Sequence, residues 1–148
     1  MLYQTLHRIL HIVYTDKDKT SNEFQTLNQI ANRYEGNISS RIGFNFPMNI
    51  VEKSNMLRKY DVDYIIVYKK GDVLTKKHEI RHAMYFLDKE YRLSIQKLWS
   101  SLTSSSQLSI ISILLKMKYP NDMKILLDEF QAYYYTEKKG FFGKINFL

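Results

Sequence analysis

The sequence predicts an α+β fold, a small N-terminal β-sheet followed by a helical half, in one domain over residues 1–148. Three observations carry this expectation. The short β-branched or alternating apolar runs all lie before Asp72, the apolar period becomes helical after it, and no repeat or linker divides the chain.

The elements follow in order. Residues 6–14 (LHRILHIVY) are apolar and β-branched enough for a strand, with a short helix as the alternative. A polar turn at 16–21 leads into a helix over 22–34, with Phe24, Leu27, Ile30 and Ala31 at helical spacing and Gly36 as its stop. Ile42, Phe44 and Phe46 alternate up to Pro47, so 42–46 is a short strand, and 49–60 reads as a short helix. Tyr64-Ile65-Ile66-Val67-Tyr68 is the clearest strand, closed by Lys69-Lys70-Gly71-Asp72. Helices follow over 75–87 and 89–102. A third is opened by Ser104 and Gln107 as a capping box and ended by Pro120, and a fourth covers 121–137. The tail, 138–148, is apolar but irregular. Phe141, Phe142, Ile145, Phe147 and Leu148 should pack on the core or sheet, with the cleft, a partner or a membrane as the alternatives.

Composition narrows the function classes. At 45% hydrophobic and 25% charged residues, with two Pro and five Gly, the chain is neither disordered nor collagen-like. No apolar run approaches the roughly 20 residues of a transmembrane helix, and the first residues lack the pattern of a signal peptide. There is no Cys, so disulfides, thiolate metal sites and a cysteine nucleophile are excluded, and any metal must be held by His, Asp or Glu. An intracellular location is the expectation. The net charge of +7 would favour an acidic partner, but the 16 Lys are scattered, in runs no longer than pairs such as Lys138-Lys139. Diffuse charge of this kind argues against nucleic acid as the main partner.

The segment that carries chemistry is His78-Glu79-Ile80-Arg81-His82, an HExxH motif on a helix that follows a strand. Composition alone would produce such a match about 0.005 times in a chain like this. Residues four apart are neighbours on a helix, so two imidazoles reach one ion from adjacent turns, while Glu79 projects about 100° round and can touch a metal-bound water. Two neutral imidazoles and one more protein ligand suit a catalytic Zn2+, with a carboxylate beside it as general base. The helical wheel puts Ile80, Ala83, Met84 and Leu87 on the core face, with His78 and His82 nearly opposite, and Lys77, Arg81 and Asp88 on a solvent flank. His7 and His11 share the same spacing, but nothing around them resembles a site.

The third ligand must come from elsewhere. Asp88 follows His82 by six residues, but Tyr85 stands where a sharp turn would need Gly, so Asp88 reads better as the cap of the next helix. In the helix over 121–137, Lys124, Asp128 and Gln131 fall on a polar arc. Opposite them lie Leu126, Glu129 and Tyr133, which puts Glu129 on the inward face. A carboxylate there needs a partner, either a metal or a Lys or Arg.

HExxH followed by Glu129-Phe130-Gln131-Ala132-Tyr133 resembles the HExxH and ExxAY elements of the small gluzincin-like zinc metalloproteases, the minigluzincins. The likeness covers roughly residues 64–135. It implies a zincin-like fold with an active-site helix and a glutamate helix, and zinc-dependent hydrolysis of peptide or protein substrates. His78, His82 and Glu129 would be the metal ligands and Glu79 the general base, while Tyr133 is a candidate transition-state stabiliser by its face. Two departures stand out. Tyr133 occupies the position where larger gluzincins have an Asp that orients a histidine ligand, and Arg81 is charged where zincins usually are not. They motivate an alternative, a catalytically inactive zincin-fold interaction module; the charge motivates another, a DNA-associated protease. A peptide would pair with an exposed strand edge, either 42–46 or 64–69.

Overall fold

Leu2–Leu6 (β1) and Ile9–Tyr14 (β2) form an antiparallel hairpin in the computed structural model, which describes residues 1–36 and 42–148. The single strand expected over 6–14 is therefore the turn and second arm of a hairpin. Leu6 faces Ile9 across a two-residue turn, and His7 and Arg8 both take positive φ, 51° and 67°. That backbone is usually supplied by Asn-Gly. Here Arg8 anchors the turn instead, donating from Nε and Nη2 to the two carboxylate oxygens of Asp63, both at 2.9 Å.

The chain then runs through a short 3-10 turn, Asp16–Thr20, into helix α1, Asn22–Glu35. Strand β3 spans Phe44–Pro47 and β4 spans Tyr64–Lys69. The sheet order is β1-β2-β4-β3, with β2 and β4 parallel and the outer strands antiparallel to their neighbours. Between β3 and β4 the short helix expected over 49–60 is replaced by two 3-10 turns, Met48–Ile50 and Met56–Lys59.

Both faces of the two central strands are covered, which is why β4 reads as a continuous apolar run. On one face Leu10, Ile12, Phe46, Ile65 and Val67 pack against Leu27, Ile30 and Ala31 of α1. On the other, Ile9, Tyr64, Ile66 and Tyr68 pack against Ala83 and Ile80 of α2, Val73–Leu87. β4 lies between β2 and β3, so 64–69 offers no edge to a substrate; of the two expected edges, β3 is the one left free among the described residues.

Helices α3 (Lys89–Ser100), α4 (Ser104–Lys116) and α5 (Met123–Thr136) build the second half around Leu102, Ile110, Leu114, Leu126, Phe130 and Phe142. Asp88 caps α3, accepting from the Tyr91 amide at 3.1 Å. The capping box expected at Ser104 does not form. Thr103 is the cap of α4, while the Gln107 side chain donates to the Trp99 carbonyl at 2.8 Å. The helix stops at Lys116, before Pro120, because Lys118 takes a positive φ of 77°. The tail packs on this half through Phe141, Phe142 and Ile145, whereas Phe147 and Leu148, expected to pack with them, are 54% and 89% exposed. Phe142 is buried beside Phe130, and Leu102 bridges to Phe147. No helix among the described residues is long and apolar enough to cross a membrane.

Candidate metal centre

α2 starts where β4 ends. Gly71 turns the chain at φ 84°, and the Asp72 carboxylate accepts from the Thr75 amide at 3.0 Å and its hydroxyl at 2.6 Å. The helix lies between the sheet and α5, so two of its sides are buried. This corrects the expected wheel: the buried residues of α2 are Glu79, His82 and Ala83, whereas Leu87, expected in the core, is 36% exposed.

Glu79 points toward β3. Its Oε2 accepts from Asn45 Nδ2 at 2.8 Å, and Asn45 Oδ1 accepts from the Tyr64 hydroxyl at 2.5 Å. A Cβ on Gly43 would strike the Thr75 methyl and sit 3.0 Å from Glu79 Oε1, so the backbone can pass this closely only as glycine. Burial raises the Glu79 carboxyl above its ordinary range, against the opposing charges of His82 and His78 and the Asn45 hydrogen bond.

His78 and His82 point toward α5. The two Nε2 atoms lie 3.2 Å apart. Glu129 Oε1 is 3.5 Å from His78 Nε2, and Glu129 Oε2 is 3.1 Å from His82 Nε2. A tetrahedral zinc bound at ~2.0–2.1 Å separates its donor atoms by about 3.3–3.4 Å, and the two imidazole nitrogens and the Glu129 carboxylate stand at spacings close to that. Glu129 is 1% exposed, and the His82 imidazole stands beside its Oε2. Burial would raise its carboxyl, but the charge of His82 and hydrogen bonds from His78 and His82 hold it well below the carboxylate range. Of the two partners left open in the sequence, a Lys or Arg is absent among the described residues, and the imidazoles take its place.

Glu79 together with His78 and His82 also offers ligand atoms within 4.8 Å of one another. With Asn45 holding one of its oxygens, Glu79 suits the role of neighbour to a bound water, and Glu129 suits that of ligand.

Behind His82 stands a carboxylate that the helical wheel assigns to solvent. Asp128 Oδ1 is 2.9 Å from His82 Nδ1 and also accepts from Gln131 Nε2 at 3.0 Å. An ionised carboxylate only accepts, so Nδ1 donates to Asp128, which leaves Nε2 as the ring atom that would face a metal once it gives up its own proton. Burial raises Asp128 while the charge of His82 and its hydrogen bond lower it. Gln131 is fully buried, donating to the Arg81 carbonyl at 3.1 Å and accepting from the Tyr91 hydroxyl at 2.6 Å. The polar arc of α5 is thus its interface with α2. Arg81 is not on a solvent flank with Asp88 either. Its guanidinium lies 4.6 Å from the Tyr135 ring centroid and 3.2 Å from the Tyr91 hydroxyl.

Tyr133 packs its ring 4.4 Å from that of His78, and its hydroxyl pairs with Tyr119 at 2.7 Å. Both tyrosines line a cavity of about 350 Å3 that also exposes His78, Glu79, Glu129 and Glu35, the last residue of α1. Tyr119, Glu35 and Asn45 carried no motif; only the fold brings them here. The tail does not line this cavity, although Phe141 stacks on the far side of Tyr133 at 5.0 Å.

No protein-family model, curated protein or solved structure matches the chain.

Proposed function

We propose that this protein is a zinc-dependent metallopeptidase of gluzincin-like, minigluzincin type, with a zincin-like arrangement of strand, active-site helix and glutamate helix. The observation that carries the reading is Glu129, whose carboxylate lies 3.1–3.5 Å from both imidazole Nε2 atoms on a different helix. His78, His82 and Glu129 would hold the ion. Bound zinc supplies a Lewis acid that polarises a carbonyl and lowers the pKa of water.

The remaining work belongs to the chain. Asn45 holds Glu79 Oε2, and Gly43 leaves room beside Oε1, so the carboxylate is fixed at the cavity wall. Glu79 takes a proton from the attacking water and returns it to the leaving amine. Its raised carboxyl suits a group that must be protonated midway. Asp128 fixes the His82 ring, which supplies the orienting carboxylate that Tyr133 does not. With Asp128 in that role and Arg81 stacked between tyrosines, the two departures that favoured an inactive module lose their force. β3 is an edge strand whose Asn45 borders the cavity, so a peptide can pair with its free backbone groups across the site. The Tyr119–Tyr133 hydroxyl pair is the candidate to meet the developing oxyanion.

The purified chain should contain one zinc and cut a mixed peptide library. Glu79→Gln should keep the zinc and lower kcat by roughly 10²–10⁴-fold. A Glu79→Gln variant as active as wild type would remove this mechanism.

A further inference from the structure

The two edges of the sheet are built differently. β3 is four residues long and ends in Pro47, which has no N–H to offer a further strand. β1, Leu2-Tyr3-Gln4-Thr5-Leu6, has no Pro, no bulge in its register with β2 and no charged residue, in a chain with 22 Lys and Arg. Those are the devices that keep an open edge from pairing with another chain. Four of its five residues are exposed, Leu2 at 64% and Leu6 at 52%. Leu6 and Ile9 flank the two-residue turn, so they form the closing hydrogen-bonded pair, and the ladder alternates from there. Leu2 and Gln4 therefore bond to β2, and the N–H and C=O groups of Tyr3 and Thr5 point out of the sheet. No turn or loop among the described residues bonds to them.

This edge matches itself. When a second β1 lies antiparallel with Gln4 opposite its own counterpart, Tyr3 and Thr5 of each strand exchange their outward bonds with Thr5 and Tyr3 of the other. The same register sets Leu2 against Leu6. Within one chain Leu2 already faces Val13 and Leu6 faces Ile9, on the side of the sheet where Val13 and Ile9 pack near Ala83 and Ile80. Each row then runs Val13, Leu2, Leu6, Ile9 from one copy into the other and covers the exposed leucines. A slip of two residues either way sets a leucine against Gln4 instead. The pattern is symmetric about Gln4, as a two-fold partner requires and a foreign strand does not. We infer that the chain forms a two-fold dimer through β1, which joins two four-stranded sheets into one. A single strand pair is smaller than the roughly 1,200–2,000 Å2 of a stable interface, so the dimer is weak and depends on concentration. No β1 residue lines the metal cavity and β3 lies at the opposite edge, so the inference does not rest on the peptidase reading.

Analytical ultracentrifugation of the full chain should show monomer giving way to dimer between about 1 and 200 µM, the range of a small interface. Leu2→Lys with Leu6→Lys sets like charges opposite each other and should leave a monomer throughout. Leu2→Lys with Leu6→Glu sets opposite charges there and should keep the dimer. Both positions are exposed, so circular dichroism should match wild type. The absence of Cys allows a second measurement that needs neither pair of variants. With Gln4→Cys the two Cα atoms on the symmetry axis stand about 4.5 Å apart, within disulfide range. Mild oxidation should link this variant at least about tenfold faster than Leu108→Cys, at a 67% exposed position on α4. Wild type that stays monomeric at about 200 µM overturns the inference, even if a strand of another protein binds this edge. So does a dimer that survives the two lysines or is lost with the Lys and Glu pair, and so do equal linking rates for the two Cys variants.

Discussion

Between α1 and the sheet, Leu27 and Ile30 meet Leu10, Ile12, Phe46 and Ile65. Between α2 and α5, His82 meets Glu129, which is as thoroughly buried, and half-buried Asp128, which buried Gln131 holds in turn. The first interface is what the hydrophobic effect makes by itself. The second buries charge, and replacing such groups by apolar residues of like volume is often neutral or stabilising. The contrast teaches that one layer holds the fold, while the other accepts a cost in stability to present two imidazoles and a carboxylate to a single point.

Substitutions can break this division. The largest effect on stability should come from Phe46→Ala. Phe46 is fully buried beside α1, and its loss should cost about 3–5 kcal/mol in chemical denaturation while the folded fraction still binds zinc normally. Loss of zinc affinity in the folded fraction would show that the two layers are not separable. A smaller effect is expected from Asp128→Asn, which keeps a hydrogen-bonding side chain beside His82 but removes its charge. Zinc affinity should fall about 10–100-fold in competition with a chelator, with far less change in denaturation than Phe46→Ala gives. An unchanged affinity would leave Asp128 a packing residue only.

The same contrast decides what could be read from the sequence. Periodicity finds residues that are buried because they are apolar, so β4, α1 and the helical half were legible. So was HExxH, because its spacing is a statement about one helix. Glu129 was found because it interrupts an apolar face. Asp128 and Gln131 were assigned to solvent because the wheel assumes that a polar arc faces water, and here it faces α2. Leu87 erred in the opposite sense, for the core of α2 lies where its polar partners are. β1 escaped notice because its residues are largely exposed, and because His7-Arg8 makes its turn through an ion pair to Asp63 rather than through turn-forming residues. Glu35 and Asn45 come from segments distant in the chain, and no local pattern could bring them to Glu129 and Glu79.

The central claim is that α5 donates a metal ligand to α2, and it is tested most directly by measuring zinc per chain for wild type and Glu129→Leu by elemental analysis, with circular dichroism on both samples. The account predicts one zinc in wild type and close to none in the variant. The variant's fold should be intact by circular dichroism, so that loss of zinc is not loss of structure. Equal zinc in both proteins, or none in wild type, would contradict it.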